Sequence, residues 1–234
     1  MYQKIISELK KLQDKNKAKI LQRFFKTGKG EYGEGDIFLG IIVPKQREVA
    51  KKYVDTNLKD LQKLLSSKIH EYRLVALLIL VQKYKSADAK ALADKKEIVD
   101  FYFKNTKNIN NWDLVDLSAP QIVGEYLLDK DRKILHKLSK SKNIWEKRIA
   151  VLATFMFIKN NQFEDSIMIS EMLLNDKHDL IHKAVGWMLR EIGKRDRQVE
   201  ENFLMKYYKS MPRTMLRYAI EKFSEEKRKK YLKK

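Results

Sequence analysis

Apolar residues recur along most of this chain at helical spacing. Ile5, Leu9 and Leu12 form one stripe and Ile20, Leu21, Phe24 and Phe25 the next, so Met1 to Lys26 reads as two amphipathic helices. The pattern then breaks. Thr27 to Val43 holds Gly28, Gly30, Gly33, Gly35 and Gly40, with Tyr32 and Phe38 between them. This stretch predicts a long ordered loop, because its aromatics and Ile37, Leu39, Ile41 and Ile42 need burial. No Gly-Lys-Ser/Thr follows, which excludes a Walker loop. Pro44 suits the first position of the next helix, with Arg47 one turn inside. From Asn57 onward helices succeed one another. Leu61 to Leu65 is short, and His70 to Tyr84 is apolar enough to be central. Ala87 to Phe103 follows, then Trp112 to Leu117, ended or bent before Pro120. Gln121 to Leu128, Arg132 to Leu138, Ile144 to Ile158, Phe163 to Leu174, Leu180 to Ile192, Val199 to Tyr208 and Thr214 to Phe223 complete the series.

Three of these helices are related. Arg73-Leu-Val-Ala76-Leu, Lys147-Arg-Ile-Ala150-Val and Lys183-Ala-Val-Gly186-Trp each place a basic residue three before a small one. Their starts are 74 and 36 residues apart, a period of about 37 with one degenerate copy near Asn110 to Asp113. The expected fold is all-α, a HEAT-like helical-repeat solenoid (an α-α superhelix) with a concave basic face, forming a single domain over residues 1–234. The small residues let neighbouring helices approach, and the basic ones recur along one edge. A plain helical bundle with chance similarity is the alternative.

Composition narrows the function. Of 8 Gly, five lie between Gly28 and Gly40, and only 3 Pro occur, so the rest of the chain lacks helix breakers. The chain has no Cys, which excludes disulfides, thiolate-zinc sites and Cys nucleophiles. Without an apolar run of membrane-spanning length or a signal-peptide core at Met1 to Asn16, the expectation is a cytoplasmic, nucleoid-associated protein with no membrane partner. Lys and Arg number 50 against 31 acids, a net charge of +19 spread along the chain, with a basic end at Lys222 to Lys234. Such an excess carries self-repulsion and points to a polyanion, nucleic acid above all. The four histidines include His178-Asp-Leu-Ile-His182, a zincin-like spacing with Asp for Glu and no third ligand nearby, so no metal is expected.

Within the degenerate repeat, Trp112 and Asp116 are four apart and share one helix face. A carboxylate on a basic, DNA-attracting chain suggests a reacting group; a core Trp beside an ordinary helix acid is the alternative reading.

The residues together resemble the AlkD-like DNA glycosylases, the HEAT-repeat DNA alkylation repair enzymes, over roughly Leu21 to Phe223. The landmarks are Phe38-Leu-Gly40-Ile-Ile-Val-Pro44-Lys-Gln-Arg47, Trp112-Asp-Leu-Val-Asp116, Ile144-Trp-Glu-Lys-Arg148 and Ala184-Val-Gly186-Trp187-Met-Leu-Arg190-Glu191. Each is weak alone; four in order make a specific signal. The resemblance implies that Trp112 and Trp187 wall the lesion, that Asp116 is the catalytic carboxylate, and that Arg148 holds a backbone phosphate. Phe24 matches an aromatic flanking the site, and Ile42 sits in a loop that approaches DNA. Arg47, Lys183 and Arg190 join the expected DNA-binding set. Asn111 departs from members with a second aromatic there, and some relatives bind DNA without excising bases.

The chemistry fits these roles. Purines alkylated at N3 or N7 are cationic and leave as neutral bases, so no general acid is needed. The oxocarbenium-like sugar left behind is stabilised by a fixed carboxylate. The expectation is a monofunctional DNA glycosylase for 3-methyladenine and 7-methylguanine, a monomer on double-stranded DNA needing no cofactor or metal. No lysine is singled out as a Schiff-base nucleophile. With only two aromatic walls, recognition is expected at an exposed groove and not in a deep pocket. A non-catalytic binder of distorted or branched DNA, and a protein-binding helical scaffold, are the alternatives.

Overall fold

The structure, a computed structural model, describes residues 1–86 and 92–233, without the side chains of residues 92 and 93. Among the described residues it is all-helical, with fourteen α-helices and no named strand; Ile37 and Ile69 form one isolated parallel bridge. The chain divides into two compact units, Met1–Ser118 and Ala119–Lys234.

The first unit is built on α5 (His70–Ser86), whose residues are buried on nearly every side. Against it pack α3 (Val43–Lys52) and α4 (Leu58–Leu65), with α1 (Tyr2–Lys11) lying on both. Helix α2 (Lys15–Phe24) starts at Asp14, whose side chain accepts from the Asn16 and Lys17 amides at 3.0 Å each. A cap of this kind satisfies two of the four orphan N–H groups of a first turn. Helix α6 (Leu92–Lys104) and the short α7 (Trp112–Asp116) complete the unit. The predicted Ala87 start of α6 lies outside the described residues.

In the second unit α9 (Ile144–Lys159) is almost wholly enclosed, with α8 (Lys133–Ser139) and α10 (Glu164–Met172) beside it. Helix α11 (Asp179–Gly193) packs on α9, α12 (Arg197–Tyr207) and α13 (Arg213–Ala219). A Cβ at Gly186 would lie 2.4 Å from the Met215 carbonyl oxygen, so only glycine allows α11 and α13 this spacing.

Three expectations change. Helix α3 begins at Val43, so Pro44 is its second residue, still within the turn whose N–H groups lack partners. Pro120–Gly124 is π-helical, so the helix expected over Gln121 to Leu128 is present but opens with this wider turn and ends at Tyr126. Pro120 lacks the N–H that an α-helix needs and its ring crowds the preceding turn. The basic end is itself a helix, α14 (Glu225–Leu232), capped by Ser224.

Candidate functional site

In the first unit the glycine-rich loop is fastened to the start of α5. The Glu71 carboxylate accepts from the backbone amides of Leu39 (2.9 Å), Gly40 (2.8 Å) and Ile41 (3.2 Å). Gly40 has φ +86°, and a Cβ there would fall 2.1 Å from the Asp14 carbonyl oxygen. The loop is thereby held close against the cap of α2, and the Asp14 amide returns a hydrogen bond to Leu39 O at 2.9 Å.

Beneath the loop lies a buried charge cluster. Asp36 accepts from Arg73 at 2.6 Å and from His70 Nδ1 at 3.1 Å, and His70 Nε2 reaches Asp113 at 2.8 Å. Burial alone would push the His70 imidazole down, but the Asp113 charge and the hydrogen bonds to Asp113 and Asp36 outweigh it and raise the pKa to about 9. His70 is therefore an imidazolium at neutral pH, with both ring nitrogens donating. Burial would raise the Asp36 carboxyl, yet the His70 hydrogen bond and the Arg73 charge hold it below the ordinary range.

An aromatic stack connects this cluster to Trp112. Phe38 lies on His70 (centroids 4.4 Å, planes 20° apart), Phe25 on Phe38 (4.9 Å, 23°) and Trp112 on Phe25 (5.0 Å, 10°). Phe24 meets Trp112 edge-on at 6.0 Å and 75°. Offset stacks and edge contacts are the favoured aromatic geometries, so the indole plane is set by its neighbours. Helix α7 is fixed from both sides: Asn111 caps the Trp112 amide at 2.8 Å, and Asp113 binds His70 while accepting from Leu114 N at 2.9 Å. Asp116 ends this helix, half-buried, four residues on from Trp112. Fully buried Tyr102, bonded to Ser118 at 2.9 Å, lies near enough to feel the Asp116 charge; burial above all pushes its hydroxyl up.

Of the other expected site residues in this unit, Phe24 and Ile42 are exposed, at 62% and 45%. Arg47 is exposed on α3. Phe24 and Ile42 also edge an open cavity of about 420 Å³, walled by Leu21, Phe25, Phe38 and Ile41. Trp112 and Asp116 are not among its lining residues. The glycine-rich loop, folded back by Glu71, supplies the wall that the helices alone lack.

In the second unit Trp187 is half-buried on α11, tilted against Phe155 at 6.1 Å, with its Nε1 donating to Glu191 at 3.1 Å. Arg190, one turn on, pairs with Glu221 and, at 3.5 Å, with Glu191. Arg148 is 5% exposed and donates to the Leu180 carbonyl at 2.6 Å, fastening α9 to the first turn of α11. The basic residues of the three related helices each hold an acid: Arg73 with Asp36, Lys147 with Asp176 at 2.5 Å, and Lys183 with Asp179 at 2.7 Å. His178 caps α11 through Nδ1, accepting from the Leu180 amide at 3.2 Å, and His182 bonds the Asp176 carbonyl. Among the described residues no group of three or more His, Asp or Glu side chains is placed to hold a metal ion. Nor is any described helix long and apolar enough to cross a membrane.

A sequence model of the DNA alkylation repair enzymes matches residues 5–223. The chain belongs to that family. Its fold agrees with two solved structures. One, described as a predicted DNA alkylation repair enzyme from Enterococcus faecalis, aligns over 91% of this chain and 97% of its own, with a TM-score of 0.66 at 16% identity. AlkD2 from Streptococcus mutans aligns over 88% and 97%, with a TM-score of 0.54 at 19% identity. At such identities the likeness speaks to fold alone. No curated protein matches the chain in sequence. Family membership gives the chain a part in DNA alkylation repair.

Sequence reasoning missed the support beneath the family motif: His70, Asp36, Arg73 and Glu71, and the rings of Phe25 and Phe38 as partners of Trp112. One signal was present. His70, Glu71 and Arg73 put three ionisable groups in the first turn of a helix apolar enough to be central, and buried ionisable groups need partners.

Proposed function

We propose that this protein is a monofunctional DNA glycosylase that hydrolyses the N-glycosidic bond of cationic alkylated purines, 3-methyladenine and 7-methylguanine, in double-stranded DNA. The observation that carries the reading is the rigid mounting of Trp112, stacked at 5.0 Å on Phe25, with Asp116 one turn on along the same short helix. An indole face attracts a cation by about 0.5–2 kcal/mol, which favours a charged lesion over a neutral base. The departing alkylpurine becomes neutral as its bond to the sugar breaks. Asp116 then stabilises the developing sugar cation and orients the attacking water, which supplies hydroxyl to the sugar carbon and a proton to solvent. Trp187, on α11, is the further aromatic residue that meets the DNA. Arg47, Lys183, Arg190 and Arg148 bind the phosphates, Arg148 also serving to fasten α9 to α11. Phe24 and Ile42 meet the DNA surface. The protein acts as a single domain and a monomer, without metal or cofactor.

Incubation with methylated duplex DNA, followed by chromatography of the free bases, tests this. Release of 3-methyladenine and 7-methylguanine is the expected result. Tight, salt-dependent binding without release of either base would overturn it in favour of a non-catalytic DNA binder.

A further inference from the structure

In the second unit a carboxylate stands beside the proposed DNA contact of Trp187. On a chain of net charge +19 in a family of DNA repair enzymes, a carboxylate there works against phosphate binding. Glu191 is one turn beyond Trp187 on the same face of α11, and its Oε1 accepts from the indole Nε1 at 3.1 Å. The carboxylate is itself fixed. Lys194 Nζ lies 2.6 Å from Oε1 and 2.8 Å from Oε2, and Arg190 Nη2 lies 3.5 Å from Oε1. The Glu191 side chain is 14% exposed. These two cations offset its charge towards phosphate and hold the acceptor in one place.

An indole has one polar group, its N–H, which only donates. With that donor committed to Glu191, Trp187 has no hydrogen bond left for a phosphate or a base edge. What it offers is the ring. Phe155 on α9 packs against that ring, tilted by 44° with centroids 6.1 Å apart. The indole is therefore held at its edge by a charged acceptor and over its surface by a neighbouring helix. A side chain locked in this way keeps more of its contact energy on binding, because little rotamer freedom remains to be lost.

We propose that Glu191 is a positioning residue, which locks the Trp187 indole so that the ring, and not the N–H, meets the bound DNA. This rests on the reading above that Trp187 meets DNA, and adds how it does so and which residue prepares it.

The test combines NMR with duplex binding. The chain has 3 Trp, hence three indole N–H signals, and Trp187→Phe assigns the relevant one. In wild type that signal should lie downfield of a solvated indole and exchange slowly with water, and should stay so when methylated duplex is added. Glu191→Ala should move it upfield and speed its exchange; Glu191→Gln, which retains Oε1, should keep it near the wild-type position. In binding, the two properties of the carboxylate act in opposite directions. Removing its charge and freeing two cations tightens DNA binding, whereas loosening the indole weakens it. Glu191→Ala should bind the duplex about threefold to tenfold more weakly than wild type, part of the worth of one aromatic contact. Glu191→Gln should bind no more weakly than wild type. Binding by Glu191→Ala as tight as wild type or tighter would overturn the proposal, as would equal weakening in the two variants. So would an unchanged N–H signal in Glu191→Ala, or loss of the bonded signal in wild type on adding DNA. Should Glu191→Ala fold poorly, the wild-type titration and Glu191→Gln decide. Neither measurement reads base excision, so failure of the glycosylase reading is distinguishable from failure of this one.

Discussion

His70 Nε2 lies 2.8 Å from an Asp113 carboxylate oxygen, and this buried pair ties the first turn of α5 to the short helix carrying Trp112 and Asp116. The folded imidazolium has a pKa of about 9 against an ordinary 6.5. The folded state thus holds the proton more tightly than the unfolded chain. The resulting stability is complete below about pH 6.5 and is lost as pH rises through about 9. Urea midpoints should fall between neutral pH and about pH 9.5. His70→Phe keeps the stack on Phe38 but leaves Asp113 without its buried cation, a loss of about 3–5 kcal/mol at pH 7. Its midpoint should change less over the same pH interval; parallel profiles for the two proteins would remove His70 as the titrating group.

Glu71→Gln tests the loop anchor. The carboxylate serves three successive backbone amides, and a charged acceptor contributes about 1.5–3 kcal/mol per hydrogen bond. The glutamine amide offers one oxygen and turns an N–H towards the same donors. A stability loss of about 2–3 kcal/mol is expected, with faster proteolysis between Lys26 and Asp36. An unchanged urea midpoint would show that the loop holds without this carboxylate.

These two cases mark where the sequence stops being legible. Helices such as α9 and α11 are plain from apolar spacing, because that signal is local. Trp112 and Asp116 can be paired from their four-residue separation for the same reason. The His70 cluster joins residues 34 and 43 positions apart, and no local pattern encodes such partners. Helix α14 shows no buried residue, so it has no stripe to read. The cavity depends on a loop turning at Gly40 to face α2, a geometry that five glycines permit without specifying.

Arg47→Ala and Arg148→Ala separate surface contacts from internal ones. Arg47 is exposed, so its removal should leave Tm unchanged. If it meets a phosphate, the slope of log K against log salt should shrink by about 0.9. Arg148 is buried and donates to the Leu180 carbonyl, so Arg148→Ala should lower stability by about 1–3 kcal/mol. Its effect on DNA affinity is then to be read at a temperature where the variant is fully folded. A Tm equal to wild type would contradict the fastening role of Arg148.

Asp116→Asn addresses the chemical step itself. The change keeps size, exchanges one carboxylate oxygen for an amide NH2 and removes the charge proposed to meet the sugar cation. Excision of 7-methylguanine should slow by about 10²–10³, the usual cost of losing one transition-state contact. Binding to intact duplex should persist, since a carboxylate contributes no attraction to phosphate. Trp112→Leu acts differently. It removes the indole proposed to face the lesion, together with the stack on Phe25, and should lower the preference for charged over neutral alkylpurines by up to about thirtyfold. Single-turnover rates on both lesion classes would measure the two effects separately. Wild-type rates in Asp116→Asn would assign the chemistry to another group and leave α7 a purely structural element.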